Sequence, residues 1–272
     1  MDIFVKNILL MKRISLLLLL LLSVSDIFAQ NTTDTKPLTD SLTGFPLPEE
    51  MTPGMTEFWL PQPPQVTPGD AGSAPSDAIV LFDGTDLDAW RPESNFWTIE
   101  NGLLKMPKKG SALATKENFG SVQMHIEWMV PAPEDGKECR QGNSGVFFQG
   151  RYELQILDMN GGKPTYANGM CGSIYKQQAP LANPMRGRGE WNEYDIIYNA
   201  PVFNSNGSYR VPPTITVIFN GVLVLNNAQI FGTTTYIGLP KVQPHGDAPI
   251  MLQRYSDTED TVYFRNIWVR KL

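Results

Sequence analysis

From Asp77 to the C-terminus, apolar residues recur at every second position in short runs, each closed by Gly, Pro, Asn or Asp. A period of two sends alternate side chains to opposite faces of an extended chain, so these runs predict strands with one face turned to a core. "SVQMHIEWMV" alternates cleanly, "AIVLFDG" runs into an Asp-Gly turn, and "FWTIENGLLKM" predicts two strands joined at an Asn-Gly hairpin. "EWNEYDIIYN", "TITVIFNGVLVLNN", "PIMLQRY" and "TVYFRNIWVRKL" bring the set to roughly a dozen, too many for one open sheet that neither curls nor splits. No extended apolar helical period follows the N-terminal segment, and no motif repeats at a fixed interval. The expected fold is all-β, a two-sheet antiparallel β-sandwich.

One stretch carries more than a core pattern. Read as a single strand, "NSGVFFQGRYELQILD" (Asn143 to Asp158) turns Val146, Phe148, Tyr152, Leu154 and Ile156 to one face and Gln149, Arg151, Glu153 and Gln155 to the other. A cation, a carboxylate and two amides in a row describe either an ordinary solvated face or the floor of a polar groove.

Composition narrows the class. The 272 residues are 42% hydrophobic and 18% charged, enough for one large core or two small ones, of which a single domain is the favoured reading. Net charge is −6 and no basic run is longer than a pair such as Lys108-Lys109, so a nucleic-acid partner is not expected. At the N-terminus, Lys12 and Arg13 precede an apolar run from Ile14 to Leu22, and Ile27-Phe28-Ala29 offers a cleavage site before Gln30, with Met11 a plausible start. That run is well short of the roughly 20 apolar residues that span a bilayer. Residues 1–29 are therefore expected to be an export signal, and the mature protein to be periplasmic or secreted, without a membrane anchor. Nine of the 22 prolines lie between Lys36 and Ser76. Residues 30–52 read as a linker, residues 53–76 as an extended proline-rich arm that packs on the domain through Phe58, Trp59 and Leu60, and residues 77–272 as the sandwich. Cys139 and Cys171 can bridge in an oxidising compartment, although a large all-β domain does not need the staple. With two Cys and two His, a structural zinc site is not expected.

Six ordered blocks point further: "AIVLFDGTDLDAW", "NSGVFFQGRYELQILD", "YANGMCGSIYKQQAPLANP", "GEWNEYDIIYNAPVF", "FNGVLVLNN" and "FRNIWVRKL". Together they resemble the 3-keto-disaccharide hydrolase domain family over nearly everything from about Pro53 to Leu272. The resemblance implies a jelly-roll of the concanavalin A-like lectin/glucanase type. It also implies a secreted enzyme that acts on sugars already oxidised to a ketone at carbon 3, cleaving the glycosidic bond by elimination and hydration. One block departs from the pattern. Where similar proteins follow the Gln of "PIMLQ" with Asp-His-Gly, this chain has Arg254 and Tyr255, then a longer acidic loop, Asp257 to Asp260.

Elimination needs a base for the carbon-2 proton, a donor for the ketone oxygen and an acid for the leaving oxygen. The candidate catalytic residues are Glu153 as base, His245, in the loop "PHGDAPI", as acid or base, and Lys176 as enolate stabiliser. Candidate substrate-binding residues are Glu127, Asn143, Gln149, Arg151, Gln155, Trp191, Gln253 and Arg254. Each has a plainer reading: a Glu153–Arg151 ion pair on a solvated face, a cross-strand His125–Glu127 pair, a core Trp191, a surface His245. Glu127, Glu153 and Asp158 could together hold a divalent cation, though carboxylates on separate strands are weak evidence for a metal. The partner expected is a small carbohydrate; oligomeric state is open. Two other classes compete: a non-catalytic carbohydrate-binding module of the same fold, and an ordinary glycoside hydrolase. The second is disfavoured because Glu153 and Asp158 fall on opposite faces of a regular strand.

Overall fold

The computed structural model describes residues 52–70, 72–91, 96–132, 142–159, 166–255 and 261–272. The expected export signal, the linker as far as Met51, Cys139 and the Asp257–Asp260 loop lie outside the described residues. The chain divides into two units, Met1–Pro64 and Gln65–Leu272. In the first, the described residues form one 3-10 turn, Pro53–Thr56, and Phe58, Trp59 and Leu60 are exposed. The boundary falls inside the proline-rich arm, and residues 65–76 belong to the second unit.

That unit is a β-sandwich. Its larger sheet joins β1 (Ile79–Phe82), β2 (Thr98–Glu100), β3 (Leu103–Lys105), β5 (Val122–Met129), β8 (Asn192–Asn199), β11 (Thr214–Phe219), β12 (Val222–Gln229) and β14 (Tyr263–Lys271). Their order is β12-β11-β8-β5-β14-β3-β2, with β1 also paired to β14. The smaller sheet runs β4 (Leu113–Ala114), β13 (Met251–Leu252), β6 (Asn143–Phe148), β7 (Tyr152–Leu157), and β9 (Val202–Phe203) and β10 (Tyr209–Val211) form a separate ribbon. The pairings are antiparallel throughout.

The predicted alternation is what fills the core. Val122, Met124, Ile126 and Trp128 of β5, and Tyr194, Ile196 and Tyr198 of β8, are buried together with Phe148, Tyr152, Leu154 and Ile156 of the smaller sheet. Each large apolar side chain so buried contributes roughly 1.5–3 kcal/mol. Phe148 stacks on Tyr198 at 4.7 Å, tying the two sheets together. The predicted Asn-Gly hairpin forms, with positive φ at Asn101 and Gly102, and a second joins β11 to β12 with positive φ at Asn220 and Gly221, as a primed two-residue turn requires.

The stretch from Asn143 to Asp158 is not one strand. It folds back as the β6–β7 hairpin, turning at Gln149 and Gly150, both at positive φ, with the Arg151 N–H bonded to the Phe148 carbonyl at 3.0 Å. Gln149 and Arg151 thus leave the polar face assigned to them, while Glu153 and Gln155 keep it. Phe147 stands opposite Glu153, and Gly145 opposite Gln155.

Candidate active site

All six residues of β7 are buried, so both of its faces are covered. Tyr152, Leu154 and Ile156 enter the core; Glu153 and Gln155 lie under two loops on the other side. The outer edge of β7 is closed by residues 172–175: Gln155 N–H donates to Ser173 O, Gly172 N–H to Gln155 O and Tyr175 N–H to Glu153 O, at 3.0–3.1 Å. The Glu153 N–H donates to Thr234 Oγ1 at 3.1 Å, which brings in the second loop, and Thr234 N–H is held by the Arg151 carbonyl at 2.9 Å.

These elements enclose a cavity of about 350 Å³ lined by Asn143, Phe147, Glu153, Gln155, Tyr175, Thr234, Tyr236, Gln253 and Tyr255. Its polar groups come largely from the sheet and its rings largely from the loops. Glu153 is 5% exposed, and burial alone pushes its carboxyl up to about 8. Among the described residues no hydrogen bond or ion pair holds that carboxyl. Gln155 donates to the Gly169 carbonyl at 3.4 Å and leaves its Oε1 unpartnered, as does Gln253. Gln253 is fixed through its backbone: its N–H bonds Gly145 O at 2.8 Å and its carbonyl accepts from Ser144 Oγ at 2.7 Å. Tyr175 bonds Tyr166 hydroxyl to hydroxyl at 2.7 Å, and burial raises its pKa, so it stays a neutral donor.

Of the residues singled out in the sequence, the cavity brings together Glu153, Asn143, Gln155 and Gln253. The others lie elsewhere. Gln149 Oε1 accepts from the Tyr198 hydroxyl inside the core at 2.7 Å. Arg151 makes no ion pair with Glu153 and stands by Tyr152 and His245 instead. His245 Nδ1 faces the Gly246 carbonyl at 2.8 Å; a carbonyl only accepts, so Nδ1 carries the proton and Nε2 accepts from Tyr152 at 2.8 Å. Burial lowers the pKa of this ring, which therefore braces the sandwich as a neutral side chain. Arg254 reaches away to the Lys108 carbonyl. Lys176 is not in the lining but behind it, with its Nζ 4.3 Å from the Tyr236 ring centroid and bonded to the Tyr236 carbonyl.

Glu127 and Trp191 belong to a network on the larger sheet. A bulge in β14 at Asn266, φ 46°, aims its amide at Glu127 Oε1 (2.8 Å), and Arg265 Nε meets Oε2 at 2.6 Å. The Arg265 guanidinium lies 4.0 Å from the Trp191 ring. His125 completes the group, its Nδ1 2.7 Å from Asp195 and its Nε2 3.6 Å from Glu127. Burial opposes charge on both, yet these contacts prevail: His125 is raised to about 9 and Glu127 lowered to about 2. Asp158 is paired with Arg188. Glu127, Glu153 and Asp158 thus sit in three separate settings, and among the described residues no group of three or more His, Cys, Asp or Glu could hold a metal. Cys171 is a free buried thiol against the Tyr194 hydroxyl, at 3.0 Å, and burial pushes it to about 12.

Five cavity residues were missed: Phe147, Tyr175, Thr234, Tyr236 and Tyr255. Tyr255 stands where the resemblance supplies a His, so the departure noted in the sequence falls in the cavity wall.

A cavity with a buried carboxyl, amides and aromatic rings on a β-sandwich is a setting in which a carbohydrate can be bound. Residues 77–270 match the 3-keto-alpha-glucoside-1,2-lyase-like domain, and the chain belongs to that family. A candidate glycosyl hydrolase from Parabacteroides distasonis is 50% identical, with 86% of this chain and 100% of that one aligned at a TM-score of 0.75. Two further candidate glycosyl hydrolases of that organism share the fold. They are 20% and 18% identical, cover 72% of this chain and 99% and 94% of their own, and have TM-scores of 0.52 and 0.50. No curated protein matches the chain.

Proposed function

We propose that the protein is an exported enzyme that cleaves 3-keto-glycosides by elimination across carbons 1 and 2, followed by hydration. The observation that carries this reading is Glu153, a carboxyl on the cavity floor that no described group neutralises and that burial raises to about 8. A base for a carbon acid gains strength with its pKa, and a value near 8 still leaves about a tenth of it ionised at pH 7.

In the first step the Glu153 carboxylate takes the carbon-2 proton, and the C–H electron pair moves towards the ketone to form an enolate. Collapse of the enolate forms the carbon-1–carbon-2 double bond, restores the ketone and expels the aglycone oxygen with its bonding pair. That oxygen takes the proton now on Glu153, which regains its charge. Water then adds across the double bond, hydroxyl to carbon 1 and proton to carbon 2. The amides of Asn143 and Gln253 and the Tyr175 hydroxyl supply neutral donors for the developing enolate oxygen. Export rests on the basic pair and apolar run at the N-terminus.

The test is incubation of the purified protein with paired glycosides, plain and 3-oxidised. Cleavage of the oxidised member alone is expected. Equal cleavage of both would favour ordinary glycoside hydrolysis. The aromatic lining also suits a carbohydrate-binding module, and binding without cleavage of either sugar would favour that reading.

A further inference from the structure

We infer that the loop 231–241 is the aglycone subsite and that it takes a flat apolar aglycone, such as an aryl or arylalkyl group, in preference to a second sugar; the inference rests on the reading of the cavity as the site of glycoside cleavage. Groups able to bond sugar hydroxyls, Glu153, Gln155, Asn143 and Gln253, lie on the floor. The loop contributes Thr234 and Tyr236 to the wall and continues with Ile237 and Leu239. Tyr236, Ile237 and Leu239 are 72, 84 and 83% exposed. Three large apolar side chains exposed within four residues of one loop, one of them lining the cavity, suit an apolar occupant.

Their exposure is built in. Gln177 clamps the loop with its side chain, Nε2 donating to Gly232 O at 2.9 Å and Oε1 accepting from Phe231 N–H at 2.8 Å. Thr233 N–H bonds Lys241 O at 3.0 Å across the base. Gly232 permits that closeness, since a Cβ there would lie 2.7 Å from the Lys241 carbonyl oxygen. The tip is closed by Thr235 Oγ1 donating to Gly238 O at 3.2 Å. Lys176, with its Nζ over the Tyr236 ring and bonded to the Tyr236 carbonyl, fixes the ring from behind. The ring is thus held as one wall of the cavity whose floor carries the carboxyl. Lys176 is in this arrangement a positioning residue.

The experiment compares glucosides carrying methyl, 2-phenylethyl and glucosyl aglycones, in both anomers, whose leaving alkoxides are similar in basicity. Dissociation constants of the plain glycosides and kcat/KM of their 3-keto forms are measured on the wild type, Tyr236→Ala and the double variant Ile237→Ser/Leu239→Ser. The 2-phenylethyl glycoside should bind about tenfold more tightly than the glucosyl one, and the ratio should fall to within about twofold in both variants. A glucosyl aglycone bound as well or better, or a 2-phenylethyl preference that survives the substitutions, would overturn the assignment. So would a sedimentation result in which the double substitution dissociates a dimer and leaves the preference intact, because the patch would then belong to a second copy of the chain. If no 3-keto form is cleaved, the proposed reaction fails, while the dissociation constants still decide the subsite.

Discussion

The carboxyl of Glu153 lies over Gly145 of the neighbouring strand: a Cβ on Gly145 would stand 2.8 Å from Glu153 Oε1 and 3.0 Å from its Cγ. The missing side chain is the room the carboxyl occupies. Gly145→Ala should therefore push Glu153 off its place and lower kcat/KM about tenfold or more, with an overpacking cost of about 1–3 kcal/mol. Steady-state kinetics and a urea titration on the same variant check both numbers, and wild-type kinetics would show that the carboxyl needs no such space.

The raised pKa of Glu153 also predicts the pH dependence of stability. Its folded value, about 8, lies above the ordinary value of 4.5, so between these the folded state binds more protons than the unfolded one. Stability from this group is full below about pH 4.5 and declines as pH rises towards about 8. Glu153→Gln cannot ionise and should flatten that decline, making the variant more stable than wild type at pH 8. Urea midpoints across pH 5 to 9, taken as about one reading per pH unit, measure it.

The His125 cluster acts in other windows. Glu127, lowered to about 2, gives stability that is present above pH 4.5 and lost as pH falls through 2; His125, raised to about 9, gives stability present below pH 6.5 and lost as pH rises through 9. Glu127→Gln removes a half-buried partner of both His125 and Arg265 and should cost about 2–4 kcal/mol near pH 6. Because Glu127 lies outside the cavity, kcat/KM of the folded variant should stay within about threefold of wild type. A hundredfold loss would return Glu127 to the substrate site.

His245→Asn separates bracing from acid–base work. The Tyr152 hydroxyl loses its acceptor at 2.8 Å, which should cost about 1 kcal/mol in thermal or urea unfolding. The shape of the pH–rate profile should not change. Disappearance of one limb of that profile would show that the imidazole takes part in proton transfer.

The strands were legible because both faces of each declared themselves: Met124, Ile126 and Trp128 alternate with polar neighbours, and Asn101-Gly102 marks its hairpin. The β6–β7 hairpin was not, for a physical reason. Phe148 pairs with Tyr152 across three intervening residues, an even separation, so apolar residues keep even numbers on both sides of the turn and the two strands read as one. Gln149-Gly150 also lacks the usual turn composition. The cavity floor survived this error, since Glu153 and Gln155 hold their parity, and Gln253 and Asn143 were readable as polar residues beside strand ends. The walls were not readable. Tyr175, Tyr236 and Tyr255 sit in aperiodic loops that reach β7 only through tertiary contacts, and no local pattern separates a ring lining a cavity from one in a core. Likewise nothing local showed that Lys176 would stand behind Tyr236, or that His245 would turn to Tyr152.

The central claim is that Glu153 removes the carbon-2 proton, and exchange of that hydrogen with solvent deuterium tests it most directly. Wild-type protein turning over a 3-keto-glycoside in deuterium oxide should place deuterium at carbon 2 of the sugar product, followed by NMR or mass spectrometry. Both exchange and cleavage should rise with pH as Glu153 ionises towards about 8. Glu153→Gln keeps the side-chain shape and loses the base, so exchange should fall at least about a hundredfold while substrate still binds. Undiminished exchange in Glu153→Gln, or cleavage by the wild type with the original hydrogen retained at carbon 2, would contradict the account.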